Sequence, residues 1–311
     1  MRVAVIGLGL IGGSAALALA EAGHDVLGFD PDPAARDAAA AHFPVTGDPA
    51  GLAGTELAVV AAPFRHLAAV AAETLDGYTG LVTDVSSVKA EPARLFARHR
   101  FVGGHPMAGK ETAGFAAAEP DLFRGRKWVL CLEADTDLGD WTALAALWTS
   151  IGAHVVPATA AAHDRAAARI SHLEHLVAAA LVRVADEPLA RTLAAGSFRD
   201  GTRVAASPTT LFTGMVEGNR DELMAAADDL AAELGTARRH LDAYTDWPSS
   251  ISEWFDEARA RRADWPPEPL AAQRIPLTRE ALAELGAAGG WLEAVESEVA
   301  LARRPRVKST S

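Results

Sequence analysis

Short apolar runs rich in β-branched residues alternate with alanine- and leucine-rich segments through the first half of the chain. Each short run has the length of a buried strand, and most of the longer segments between them have the length of a helix. The predicted strands are 2–6, 24–29, 57–61, 80–83, 100–102, 128–132 and 153–156. Regular alternation of strand and helix predicts a mainly parallel sheet covered by helices, because parallel strands need a crossover connection.

The pattern changes after residue 157. Residues 158–186 form one long helical pattern without an internal glycine or proline. Further helical patterns follow at 188–195, 207–214, 220–233 and 237–262. We therefore predict an α/β domain over residues 1–157 and an all-α domain over residues 158–265. A proline-rich stretch then begins a C-terminal extension, residues 266–311, whose role the pattern does not indicate.

A glycine motif follows the first predicted strand. The chain reads Gly7-x-Gly9-x-x-Gly12 before the first helix, and the second strand ends at Asp30. In a dinucleotide-binding turn the first glycine permits the tight bend, the second lets the backbone approach a pyrophosphate, and the third packs helix against strand. The acid is placed to accept hydrogen bonds from ribose hydroxyls and to repel a 2′-phosphate. We therefore predict a Rossmann dinucleotide-binding domain that takes NAD in preference to NADP.

Three further residues are predicted to contact this cofactor. Leu10 and Ile11 lie at the start of the helix whose free N–H groups and positive dipole end face the phosphates. Pro63 follows a predicted strand, and ligands of open parallel sheets sit outside the carboxyl ends of the strands. Arg36 could in principle pair with a 2′-phosphate, but its place in a helical segment favours a solvated position.

Composition excludes several other classes of protein. The formal net charge of −12 argues against nucleic acid or an anionic membrane as a partner. No apolar run reaches the ~18 residues of a membrane-spanning helix, and the start of the chain lacks a signal-peptide pattern. The single cysteine, Cys131, rules out an internal disulfide and lies in a strand-like run, which predicts a buried structural thiol. We expect a soluble, cytoplasmic protein.

The stretch Gly103–Glu111 carries the clearest candidate for acid–base chemistry. It places the imidazole of His105 among glycines, which allow close approach of the backbone to a ligand, while Pro106 stiffens the turn. A histidine held in this way can take or share a proton near neutral pH. Taken alone, the pattern fits a turn with a surface histidine equally well.

Two serines follow the predicted strand 80–83. Ser86 and Ser87 lie at the edge of the sheet where ligands bind, so they are placed to contact cofactor or substrate. Either could instead be the N-cap of the helix predicted to run to Arg98. Both roles can be shared between the two hydroxyls.

Polar side chains interrupt the long helical pattern at Ser171, His172 and His175. Ser171 and His175 are four residues apart and the two histidines three apart, so they share a helix face. Two histidines at this spacing also occur in metal sites, but no third ligand with suitable spacing is evident, and we predict no metal. We expect these groups to line a cleft where the helix meets the first domain.

A glycine-punctuated segment between helices contains Arg203. Its planar guanidinium matches the geometry of a carboxylate and could grip one through two hydrogen bonds. A structural salt bridge to Asp200 or Glu111 is the alternative.

Together these stretches resemble the prephenate dehydrogenase family, which includes arogenate-using members. The matching motifs occur in the order of the family, and they are Gly7-x-Gly9-x-x-Gly12, Asp84–Lys89, Gly104-His105-Pro106-Met107-Ala108-Gly109-x-Glu111, Ser171-His172-Leu173-x-His175 and Phe198-Arg199-Asp200-x-Thr202-Arg203. The resemblance implies a Rossmann domain followed by a helical dimerisation domain, and hence a homodimer. It also implies NAD-dependent oxidative decarboxylation of prephenate to 4-hydroxyphenylpyruvate in tyrosine biosynthesis.

The resemblance further implies roles for individual residues. His105 would be the catalytic histidine, bonded to the ring hydroxyl, and Ser87 would orient it. Arg203 would bind a substrate carboxylate, with Glu111 near it. Three residues would line the substrate pocket: Ser171, His172 and His175. The chain departs from the family at Glu174, where proline is frequent, and its C-terminal extension is too short for the regulatory domain of some relatives.

Other readings keep the same fold but change the chemistry. Arogenate, or an amino-substituted prephenate of specialised metabolism, would need the same cofactor and motifs, although Glu174 near the pocket could favour an amino group. A non-catalytic NAD-binding regulator would have lost His105 or Arg203, and both are present. Dehydrogenases that act on β-hydroxyacids or imines share the architecture but lack the His105-Pro106-Met107 loop combined with Ser171-His172.

Overall fold

The computed structural model describes residues 1–110, 112–242 and 249–306, and its first half is built on a six-stranded parallel sheet. The strands of this sheet are β1 (Arg2–Ile6), β2 (Asp25–Phe29), β3 (Val45–Thr46), β4 (Leu57–Val60), β5 (Leu81–Asp84) and β6 (Arg100–Val102). Their order across the sheet is β3-β2-β1-β4-β5-β6. The central strands β1 and β4 are apolar on both faces because both faces are covered.

Helices connect these strands. They are α1 (Leu10–Glu21), α2 (Pro33–Ala39), α3 (Leu67–Ala69, continued by a π-helix over Val70–Thr74) and α4 (Ala90–Leu95). The start of α2 shows why helices begin where they do. The Asp32 carboxylate accepts a hydrogen bond from the backbone N–H of Ala34, while Pro33 occupies a position where no N–H is needed. The Rossmann architecture predicted from the sequence is confirmed.

A second six-stranded sheet was not predicted. It contains β7 (Gly104–Pro106), β8 (Lys127–Cys131), β9 (His154–Ala158), β10 (Gln273–Pro276), β11 (Trp291–Glu296) and β12 (Val299–Arg303). Their order is β10-β12-β11-β9-β8-β7, and β8 and β9 alone run parallel. His105 therefore lies on a short strand, not on the glycine loop expected from the sequence. Its strand pairs with β8, and His105 is opposite Val129.

The middle of the chain is helical. After α5 (Leu138–Ser150), the helices are α6 (Ala160–Ala167), α7 (Leu173–Val184), α8 (Pro188–Leu193), α9 (Gly196–Thr202), α10 (Thr209–Gly218), α11 (Arg220–Asp242) and α12 (Ser249–Ala263). Among the helices in the described ranges, none is long and apolar enough to cross a membrane.

The helix expected over 158–186 is present from Ala160 to Val184, and it contains a π-helical turn, Ala168–His172, between α6 and α7. One predicted helix boundary in this region is wrong. The break expected after residue 233 does not exist, because α11 runs through Gly235, whose cost inside a helix is only about 1 kcal/mol.

The C-terminal extension, whose role the sequence pattern left open, completes the second sheet. Its helix α13 (Arg279–Ala287) packs on β9, and Arg279 donates hydrogen bonds to the carbonyl oxygens of Glu133 and Thr136. The Lys127 ammonium lies over the indole ring of Trp291, 3.1 Å from the ring centroid. This extension is therefore packed against the α/β half of the molecule.

The contact between α13 and β9 leaves no room for a side chain at Gly286. A Cβ there would lie 2.0 Å from the carbonyl oxygen of Pro157, a backbone atom that cannot swing aside. Gly286→Ala should therefore destabilise the protein by about 1–3 kcal/mol, although alanine is the better helix former.

Gly235→Ala is the matched control, since a Cβ at Gly235 would meet only the guanidinium of Arg239, at 3.7 Å. This second variant should be as stable as the wild type or more stable by up to about 1 kcal/mol. Urea unfolding followed by circular dichroism measures both, and equal stability of the two variants would contradict the packing of α13.

Candidate active site

The turn after β1 has the shape of a pyrophosphate cradle. Gly7 has a φ of +99°, which favours glycine, and a Cβ at Gly12 would lie 1.9 Å from the carbonyl oxygen of Gly7. At Gly9, by contrast, a Cβ would meet nothing within 4 Å, so the space above this residue is open. Leu10 and Ile11, both half-buried, begin α1 directly behind it. The residues present thus fit a dinucleotide at the N-terminus of this helix.

Asp30 is fixed beside this cradle. One carboxylate oxygen accepts a hydrogen bond from the backbone N–H of Leu8 at 2.8 Å, and the other accepts one from Asp32 at 2.9 Å. Arg36 does not extend into solvent as expected but folds back and donates to the carbonyl oxygens of Asp30 and Pro31, at 2.7 and 3.0 Å. The Asp30 carboxylate is therefore oriented toward the turn after β1. Pro63 lies at the same edge of the sheet, three residues after the end of β4.

His105 is the centre of a cluster of buried polar groups. Its Nδ1 lies 2.8 Å from Nε2 of His163, a residue of α6, and the two rings meet nearly edge to face. Burial, together with the neighbouring His163, Lys89 and His172, holds the pKa of His105 well below its ordinary value of 6.5. The imidazole of His105 is therefore neutral at physiological pH and able to accept a proton.

A buried ion pair supports the strand that carries His105. The ammonium of Lys89 lies 2.5 Å from the Asp84 carboxylate, and both side chains are fully shielded from solvent. The same ammonium donates to the carbonyl oxygen of Gly104 at 2.6 Å, while the N–H of Gly104 donates to Asp84 at 3.0 Å. The residue preceding His105 is therefore bound through both of its backbone polar groups.

The expectation of a serine N-cap on the following helix is wrong. Ser86 uses its hydroxyl to bond the Asp84 carboxylate and the carbonyl oxygen of Val88, and Ser87 is half-buried in the same turn. The N-terminus of α4 is instead capped from a distance by Asp164, whose carboxylate accepts hydrogen bonds from the backbone N–H groups of Lys89 and Ala90, each at 2.8 Å.

Sequence reasoning missed His163 and Asp164. Both are almost completely buried, and Nδ1 of His163 lies 2.8 Å from the Asp164 carboxylate. A signal was available, because the pair stands in an alanine-rich segment just after β9. A histidine next to an acid, within the first turns of a helix that leaves the sheet, merits attention as a candidate site.

Of the three residues expected to line a cleft, His172 is placed differently. It is completely buried in the π-helical turn, and its Nδ1 lies 3.2 Å from the Asn219 amide. Its Nε2 is buried without a hydrogen-bond partner among the described residues. Burial lowers the pKa of His172 to about 4, aided by His163 and only partly offset by Asp164 and the nearby backbone of Ser87. Ser171 and His175 are half-buried.

The remaining substrate candidates lie around α7. Arg203 directly follows α9 and is exposed. The 3₁₀ turn that it begins, Arg203–Ala206, packs against α7. This turn and Ser171 therefore belong to the same part of the helical region. Glu111, expected to sit near Arg203, lies outside the described residues.

The described residues contain no cluster of histidine, cysteine and acidic side chains suited to a metal ion. Cys131 is buried at the end of β8, and burial raises its thiol pKa to about 12, so it is unreactive as predicted for a structural thiol.

Comparisons with known proteins agree with this arrangement. Residues 15–157 match the family model for the nucleotide-binding domain of prephenate dehydrogenase, and residues 159–257 match the model for its dimerization domain. A prephenate dehydrogenase of Bacillus subtilis is 32% identical over 260 residues, which is 77% of this chain and 70% of that protein.

Two solved structures are similar across most of the chain. A Synechocystis arogenate dehydrogenase is 30% identical with a TM-score of 0.76, covering 85% of this chain and 100% of that one. A prephenate dehydrogenase from Aquifex aeolicus, solved with hydroxyphenyl propionate and NAD+, is 25% identical with a TM-score of 0.77, covering 85% and 98%.

The fold and the site define an NAD-binding oxidoreductase of the Rossmann type. The chain belongs to the prephenate dehydrogenase family. The resemblance found in the sequence motifs is thereby confirmed, as are NAD as the cofactor and the helical dimerization domain after the Rossmann domain.

The buried ion pair generates a prediction about stability. Lys89→Met would leave the Asp84 carboxylate buried without its cation, and we expect a loss of about 3–5 kcal/mol in the free energy of unfolding. Arg94→Met, in the helix that follows Lys89, is the control, because its ion pair with Glu91 is open to solvent and should matter little. Urea unfolding of both variants measures the difference, and similar midpoints would argue against the role of Lys89.

Proposed function

We propose that this protein catalyses the NAD-dependent oxidative decarboxylation of prephenate to 4-hydroxyphenylpyruvate, in tyrosine biosynthesis. The observation that carries the proposal is the state of His105. It is a neutral imidazole at the edge of the second sheet, next to Gly104, whose backbone N–H and C=O are both hydrogen-bonded, in a protein whose other sheet presents a dinucleotide cradle. Family membership supplies the substrate class.

The chemistry follows from what such a histidine can do. Bound nicotinamide supplies the acceptor for the hydride that leaves the ring carbinol carbon. His105 takes the hydroxyl proton as the carbonyl forms, so no alkoxide charge accumulates in the site. The ring ketone then loses its carboxylate as carbon dioxide, and the electrons of the broken bond make the ring aromatic. Formation of the aromatic ring makes the overall reaction effectively irreversible.

The other candidate residues are assigned by their place in the fold. Arg203 is proposed to hold a substrate carboxylate, since its turn packs on the helix that continues from Ser171. Ser87 is proposed to orient His105 or the substrate, and Glu111 to lie near the arginine. Ser171 and His175, both half-buried, are proposed to line the substrate pocket. His172 is completely buried next to them in the same helical segment.

We also propose that the protein acts as a cytoplasmic homodimer. Large apolar side chains with at least half of their surface exposed are concentrated in the helical region that matches the family's dimerization domain, and they include Ile170, Val184, Leu189, Leu193, Leu234 and Phe255. An apolar surface of this kind favours burial against a second copy of the chain.

A second candidate substrate is arogenate, which differs from prephenate in carrying an amino group. The similarity to the Synechocystis arogenate dehydrogenase favours it, and the exposed Glu174 on the first turn of α7 could attract an ammonium. An amino-substituted prephenate belongs to the same group of substrates.

A substrate panel tests the proposed function. NAD reduction is measured in parallel with prephenate, arogenate and amino-substituted prephenate, and each assay is repeated with NADP. We expect the highest kcat/KM with prephenate and NAD, because Asp30 disfavours a 2′-phosphate. A higher value with arogenate would move the assignment to the second candidate, and no turnover of any of the three would refute the proposal.

His105→Asn tests the proposed base. This variant should lower kcat by about 10²–10⁴-fold, because the amide accepts protons poorly, while NAD affinity stays nearly unchanged. His24→Asn, at the opposite end of the first sheet, is the control and should retain full activity. A His105→Asn variant with normal kcat would remove His105 from this role.

In the wild type, the lowered pKa of His105 predicts activity that is constant through neutral pH and falls only well below pH 6.5, as the imidazole becomes protonated.

Arg203→Ala tests the carboxylate contact. Loss of a charge-assisted contact of about 1.5–3 kcal/mol should raise the KM for prephenate by roughly 10- to 150-fold and change kcat less. Arg199→Ala, one turn earlier on α9 and paired with its neighbour Asp200, should leave KM unaltered. An unchanged KM in the Arg203 variant would count against the contact.

A further inference from the structure

The described contacts form a continuous chain from His105 to the start of α4. Nδ1 of His105 lies 2.8 Å from Nε2 of His163, and Nδ1 of His163 lies 2.8 Å from Oδ1 of Asp164. The Asp164 carboxylate also accepts hydrogen bonds from the backbone N–H groups of Lys89 and Ala90. The proposed chemistry uses only the first member of this chain, and His163 and Asp164 have no role in it so far.

Counting protons along the chain fixes the direction of each hydrogen bond. The Asp164 carboxylate accepts two backbone N–H groups and has no proton to offer, so Nδ1 of His163 must carry a proton and donate it. A neutral His163 then has an unprotonated Nε2, which can only accept. Nδ1 of His105 must therefore donate to it, and the single proton of a neutral His105 resides on Nδ1. Its other nitrogen, Nε2, is left with a free lone pair.

His163 is shielded from solvent inside the cluster. The residue is 5% exposed, its Nε2 lies 2.8 Å from Nδ1 of His105, and Asp164 is the carboxylate that it contacts.

The backbone of α6 is also anchored. The Asn219 amide, at the end of α10, donates to the carbonyl oxygen of Asp164 at 2.7 Å and contacts Nδ1 of His172 at 3.2 Å. Asp164 is thus held at its carboxylate by α4 and at its backbone by Asn219. The acceptor that it offers to His163 has a fixed position, as is needed for a group that orients another.

We propose that His163 and Asp164 are positioning residues that fix His105 as the Nδ1–H tautomer, so that Nε2 faces the substrate hydroxyl as the proton acceptor. When His105 takes the hydroxyl proton, its imidazolium keeps the hydrogen bond to His163, and the Asp164 carboxylate stabilises the new charge through that ring. The arrangement follows the logic of an acid–histidine pair that orients a base, with a second imidazole inserted between them. This proposal rests on the proposed function of His105 as the base.

The tautomer can be measured directly. In full-length protein with ¹⁵N-labelled histidine, two-dimensional NMR at neutral pH distinguishes Nδ1–H from Nε2–H rings, and the His105→Asn and His163→Gln spectra assign the two signals. We expect both His105 and His163 to be Nδ1–H tautomers. Finding His105 as an Nε2–H tautomer in the wild type would overturn the proposal without any appeal to activity.

Two substitutions of His163 separate positioning from packing. His163→Leu fills a similar volume but removes the acceptor, and we expect kcat to fall by about 10- to 100-fold with KM and NAD affinity unchanged, and His105 to shift to the Nε2–H form that imidazole favours in water. His163→Gln keeps a carbonyl acceptor near the place of Nε2 and should restore kcat to within about fivefold of the wild type. A leucine variant with wild-type kcat, or a glutamine variant as slow as the leucine one, would contradict the proposal.

The outcomes also separate this proposal from the one on which it rests. If none of the three acids is turned over, the proposed function fails, while the NMR measurement still decides the tautomer of His105. If His163→Leu does not fold, the wild-type spectrum and the glutamine variant decide the question.

Discussion

The buried pair of Lys89 and Asp84 is the interaction on which the rest of the site depends. Two charges removed from water are costly, and their mutual attraction offsets that cost only if the remaining hydrogen-bonding capacity is also used. Here it is used: Asp84 also accepts from Ser86 and from the N–H of Gly104, and Lys89 also donates to the carbonyl of Gly104. The pair therefore binds the end of β5, in one sheet, to β7, in the other.

This connection explains how His105, the proposed base, can be held firmly on a strand of three residues. So short a strand has little stability of its own, and its hydrogen bonds to β8 hold it from one side only. The ion pair holds Gly104 from the other side. His105 is thus fixed between two sheets, and its ring is then oriented from a third direction by α6. A proton acceptor gains from such rigidity, since small displacements of a reacting group are expensive in rate.

The helical half reaches the site through an irregularity. The π-helical turn Ala168–His172 inserts an extra residue between α6 and α7, which alters the direction in which following side chains point. His163 before the turn and His172 within it both come to face the cluster around His105. Asn219 then contacts both parts, through the Asp164 carbonyl and the His172 ring. Interruptions of this kind are frequent at functional sites.

The sequence predicts the parts of this molecule that local pattern determines. Five strands of the first sheet, the turn from Gly7 to Gly12 and the place of Asp30 follow from residues within a few positions of one another, whereas the two-residue edge strand β3 was not predicted. It fails where the deciding partner is distant. The cap of α4 is Asp164, 74 residues beyond Ala90, and the partner of His105 is 58 residues away. Nothing local marks β7 as a strand, because it pairs with β8 across an intervening loop.

The late strands of the second sheet have a consequence for how the protein is made. β9 gains its neighbour β11 only when residues near Leu292 have been synthesised, so until then that edge offers unpaired backbone groups. Shortened versions that stop at the end of the helical region would keep this edge permanently open and leave the Lys127 ammonium without the Trp291 ring. The complete second sheet therefore requires the chain through β12, far downstream of the last residue to which a role in the chemistry is proposed.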